Sequence, residues 1–163
     1  MAESEPLQAA FVLRQLERHA RTAPERIAFT FLREDGREES LNNGELAARV
    51  DALAGLLARE AAPGERALLL YPPGLAFVTA FFACLGAGLV AVPAPLPRRA
   101  EGDARLRALL DDAAPTLALG PREVLSGLAP HLRQGTLALV CLEEGGAAAP
   151  LPRVGAADLA FIQ

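Results

Sequence analysis

The chain has 163 residues, is 52% hydrophobic and carries a net charge of −4. That is enough chain for one domain with a real core, too apolar for disorder, and without the basic excess that nucleic acid requires. All 16 basic residues are Arg, so no Schiff-base or Walker lysine lies within these residues.

The start, Met-Ala-Glu-Ser-Glu-Pro, is acidic and polar and shows no signal peptide, so a cytoplasmic location is expected. A first helix is predicted from Leu7 to Thr22, with Val12, Leu13, Leu16 and Ala20 as its apolar stripe. After Pro24, Ile27–Leu32 reads as a strand. Glu34-Asp35-Gly36-Arg37 carries the Asp-Gly turn signal, and the chain returns to Leu41, which predicts a β-hairpin. Asn42 with Glu45 three residues on has the form of a capping box. The helix it starts presents Leu46, Val50, Leu53 and Leu57 inward, with Glu45 and Arg49 as an i,i+4 ion pair, and Pro63-Gly64 ends it.

Residues 67–97 contain no charge. A membrane span needs roughly 20 unbroken apolar residues, and Pro72-Pro73-Gly74, Gly86, Gly88 and Pro93 cut this run into shorter pieces. It reads instead as a buried β-α-β unit: strand Arg66–Tyr71, helix Leu75–Leu85, strand Leu89–Val92. The helix is apolar almost all round, so it must be covered on two sides, with Phe81 and Leu85 in its core. A proline-rich loop, Pro93–Gly102, follows and carries Arg98-Arg99. Asp103 then caps a short helix with Leu106, Leu109 and Leu110 inward, stopped before Pro115. Thr116–Leu119 is a strand, Glu123–Leu132 helical and Leu137–Leu142 a further strand. Glu143–Gly155 is a Gly/Ala/Pro-rich linker and Asp158–Gln163 turns apolar again. The alternation predicts an α/β fold, a mostly parallel sheet flanked by helices with a small N-terminal β-hairpin, over a single unit, 1–163.

Chemistry is sparse. Gly86-Ala87-Gly88-Leu89-Val90-Ala91 fits G-x-G-x-x-A, but the dinucleotide fingerprint needs a strand before it and a helix after, and the order here is reversed. His19 and His131 lack further ligands at metal spacing. Ser40 and Ser126 lack a nucleophile-elbow context. Asp111-Asp112 point in different directions on a helix end. Cys84 and Cys141 read as buried thiols in a reducing compartment. Arg98-Arg99 reads as a solvated loop pair. No catalytic, cofactor-binding or metal-binding residue is assigned within the chain.

The order of short motifs is more specific than any one of them. Leu41-Asn42-Asn43-Gly44-Glu45-Leu46 resembles the "L-T-Y-x-E-L" helix start of adenylate-forming enzymes, with the Thr-Tyr pair replaced. Leu70-Tyr71-Pro72-Pro73-Gly74 before Phe77 resembles "L-x-x-P-P-G-x-x-F". Phe81-Phe82-Ala83-Cys84-Leu85-Gly86-Ala87-Gly88 resembles "F-x-G-C-L-Y-A-G", with Gly86 where an aromatic is usual. Val90–Pro95 resembles "A-V-P-x-x-P", Arg105–Ala113 resembles "R-L-x-x-I-x-x-D-A", and Asp158–Gln163 resembles "D-L-A-F-L-Q". Taken together, the chain resembles the N-terminal part of an adenylate-forming enzyme, most closely a fatty acyl-AMP ligase.

The resemblance implies a parent ligase that activates a fatty acid with ATP and Mg2+ to an acyl-adenylate. The acyl group then passes to the phosphopantetheine thiol of an acyl carrier protein. In the family the last strand runs into a phosphate loop ending in Pro-Lys-Gly, and the chain stops just before that point. The expectation is therefore a scaffold piece, inactive alone, without a cofactor of its own and prone to self-association. A nonribosomal adenylation domain or acyl-CoA ligase fragment is a related alternative. A non-catalytic α/β module that binds a carrier protein is a different one.

Overall fold

The computed structural model describes residues 9–96, 100–132 and 138–141. Helix α1 (Ala9–Thr22) leads into the hairpin β1 (Ile27–Leu32) and β2 (Glu38–Asn42). Gly36 takes the positive φ of the turn, and the Asp35 carboxylate accepts from the backbone N–H and the guanidinium of Arg37. Arg33 and Glu39 form an ion pair across the strands.

Helix α2 (Asn43–Glu60) starts on the expected capping box. The Asn42 side chain accepts from the Glu45 N–H at 2.8 Å, and the Glu45 carboxylate accepts from the Asn42 N–H at 3.1 Å. The Glu45 side chain folds back onto the cap, and the ion pair expected with Arg49 is not formed. Asn43, the second replaced motif residue, is buried. Its side-chain amide donates to Ala23 O, and its own N–H donates to Arg26 O, both at 2.9 Å. The pair therefore fixes the start of α2 against the turn after α1. The helix ends at Ala61, two residues ahead of the expected proline stop.

Four parallel strands follow: β3 (Arg66–Leu69), β4 (Val90–Pro93), β5 (Leu117–Gly120) and β6 (Ala138–Cys141), in the spatial order β4-β3-β5-β6. The α/β fold and the hairpin are as expected, and the main sheet is parallel throughout its described strands. Pro93 is accommodated because β4 is an edge strand, where a missing N–H leaves no ladder gap. Helix α3 (Leu75–Gly86) connects β3 to β4, α4 (Ala100–Ala113) connects β4 to β5, and α5 (Arg122–Leu132) follows β5. Helix α4 begins at Ala100, so Asp103 lies inside it rather than at its cap, and the proline-rich loop is shorter than expected. Residues 143–163, with the predicted linker and last strand, lie outside the described residues, as do Arg98 and Arg99.

Side chains of β3 alternate between two cores. Ala67, Leu69 and Tyr71 pack with α2 and α3, together with Leu117 and Leu119 of β5. Leu68 and Leu70 pack with Leu106, Ala113 and Leu125 of α4 and α5. A strand covered on both faces cannot alternate polar and apolar residues, which explains the solid apolar run. A third cluster, Leu41, Leu46 and Val50 with Leu16, Ala28 and Phe82 around it, joins α1 and the hairpin to the outer side of α2 and α3. Helix α3 is thus covered twice, by the sheet and by this outer layer. Leu85 is buried as expected, whereas Phe81 is half-buried and stacks edge-on against Phe82.

Two substitutions check this packing. Leu57 is fully buried between α2 and the sheet, so Leu57→Ala should cost about 2–5 kcal/mol in a denaturant titration. Phe81→Ala should fall below the ~3–5 kcal/mol of a fully buried phenylalanine.

Candidate functional site

The strand order creates a switch point. After β3 the chain turns into α3 on one face of the sheet, and after β5 it turns into α5 on the other. The connections that leave the carboxyl ends of β3 and β5 therefore part, and open α/β sheets bind ligands at such a crevice. Its walls are Leu70-Tyr71 and Gly120-Pro121. The Leu70 N–H donates to Leu119 O at 2.8 Å, which carries the ladder one residue past β3. A Cβ on Gly120 would stand 2.7 Å from Leu70 O, so only glycine lets the two strand ends approach this closely. Pro72-Pro73 then turns the chain out to the start of α3.

This edge is a shaped platform with little chemistry of its own. The charged side chains at its α5 end are Arg122 and Glu123, both exposed. Among the described residues no group of three or more His, Cys, Asp or Glu is placed to hold a metal ion.

The residues singled out from the sequence do not converge. Gly86 and Gly88 end α3 and turn into β4, with Gly88 at φ +72, so they act as a helix stop rather than a pyrophosphate cradle. His19 is exposed on α1 beside the Arg18 guanidinium. His131 lies on α5, and its side chain is outside the described residues. The Ser40 hydroxyl pairs with that of Thr30 across the hairpin at 2.9 Å, and Ser126 is exposed on α5. Asp111 and Asp112 are exposed in the last turn of α4. Cys84 is buried, and burial pushes its thiol up to about 12, which leaves it an unreactive core residue. Cys141 lies on β6, with its side chain outside the described residues.

One feature escaped the sequence reading. A cavity of about 430 Å³ opens between α1 and α2, with Leu13, Leu16 and Val50 among its walls and Gly86 at its floor. Glu17 and Asp51 line it from the two helices. Burial, and then the Glu17 charge, raise the Asp51 carboxyl above its ordinary value of 3.8. The signal was available: each of these acids follows directly on a residue of an apolar stripe, Leu16 or Val50, which places it beside the α1–α2 seam.

Known proteins resolve what the platform belongs to. The sequence profile described as AMP-binding enzyme matches residues 16–158. The chain belongs to the AMP-binding enzyme family. The long-chain-fatty-acid–AMP ligase FadD23 of Mycobacterium tuberculosis is 34% identical over 113 residues, 67% of this chain and 19% of that protein. JamA of Moorena producens, a medium-chain-fatty-acid–acyl-carrier-protein ligase, is 42% identical over 111 residues, 66% of this chain and 18% of that protein. The crystal structure of the fatty acid AMP ligase from Legionella pneumophila superposes with a TM-score of 0.81 at 26% identity, over 94% of this chain and 27% of that one. These matches bear out the resemblance to an adenylate-forming fatty acyl ligase read from the motifs. The chain spans about a fifth of the length of these two curated relatives. Within this AMP-binding family member, no helix among the described residues is long and apolar enough to cross a membrane.

The α1–α2 seam yields a pH prediction. The folded Asp51 pKa lies above its unfolded value, so the folded state binds the proton more tightly. Stability should therefore fall as pH rises from the ordinary carboxylate range through the raised value, and level off above it. Asp51→Asn should flatten this part of the profile and raise the neutral-pH melting temperature slightly. A variant that keeps the wild-type slope would place the titration elsewhere.

Proposed function

We propose that this chain is the scaffold of the N-terminal part of a fatty acyl-AMP ligase, and that it is inactive alone. The whole ligase would join a fatty carboxylate to the α-phosphate of ATP, releasing pyrophosphate. It would then pass the acyl group to the phosphopantetheine thiol of a carrier protein. The observation that carries the reading is the switch-point edge: a glycine-tightened pair of strand ends, with no group of three or more His, Cys, Asp or Glu placed to hold a metal ion among the described residues. Such an edge can position catalytic loops but cannot perform the chemistry.

The relatives support the substrate class. FadD23 is a ligase of long-chain fatty acids to AMP, and JamA is a ligase of medium-chain fatty acids to an acyl carrier protein. A further Legionella pneumophila structure, an acyl-adenylate ligase at 26% identity, holds acyl adenylate and pyrophosphate. Adenylation requires the phosphate charge to be neutralised and the carboxylate held in line. In this reading the scaffold sets the sheet edge, and both tasks belong to other parts of the ligase.

The test is fatty-acid-dependent ATP–pyrophosphate exchange by the purified 163-residue chain. Exchange should not rise above the no-protein blank with medium- or long-chain acids. Replacing the matched quarter of the Legionella pneumophila ligase with this chain should restore exchange. Activity of the chain alone would overturn the scaffold reading, and a well-folded but inert hybrid would overturn the ligase reading.

A further inference from the structure

We draw no further inference here: the strongest candidate, the cavity between α1 and α2, carries nothing because Glu17 and Asp51 on its walls are matched by Arg14 and Arg21 and nothing in the described structure shows what would occupy it.

Discussion

Strand β3 is buried on both of its faces, and the rest of the structure is arranged around that constraint. Ala67 and Leu69 need α2 and α3 on one side, and Leu68 and Leu70 need α4 and α5 on the other. With β4 and β5 on its two edges, β3 has no side left to solvent. Each fully buried aliphatic contributes about 1.5–3 kcal/mol relative to exposure, so this strand and its neighbours outweigh any single polar contact in the molecule. The same arrangement fixes the functional geography. Because the connections after β3 and β5 leave by opposite faces, a crevice opens just beyond the two strand ends, which Gly120 lets lie close together.

Several polar groups in the described structure position its elements. Asn42 and Asn43 hold the start of α2 and tie it to the turn after α1. The Arg66 guanidinium donates to Ala113 O at 3.0 Å and closes the end of α4. The buried Thr79 hydroxyl donates to Leu75 O within α3 at 3.1 Å. Each is satisfied locally, as buried polar groups must be.

Most of the architecture was legible because its signals are local or periodic. Ile27–Leu32 was set by β-branched and aromatic residues beside an Asp-Gly turn. The Asn42–Glu45 cap and the Leu46, Val50, Leu53, Leu57 stripe fixed α2. The start of α4 was misplaced because Asp103 looks like a cap, while the helix begins three residues earlier at Ala100. The Glu45–Arg49 pair is absent because the Glu45 side chain folds back onto the Asn42 N–H of the cap instead of reaching one turn forward. Half-burial of Phe81 could not be read from α3 alone, since it depends on how far the core shared by α2, α3 and the sheet reaches around that helix. The α1–α2 cavity was hidden for the same reason: it is a property of two helices meeting, and neither sequence segment contains it.

Hydrogen exchange followed residue by residue tests the central constraint most directly. If β3, buried on both faces, anchors the fold, the amides of Leu69 and Leu119 should exchange only on global unfolding. Those of Thr30 and Phe31 in the hairpin should exchange orders of magnitude faster, through local opening. Protection of the hairpin equal to that of β3, or early exchange at Leu69, would contradict this account.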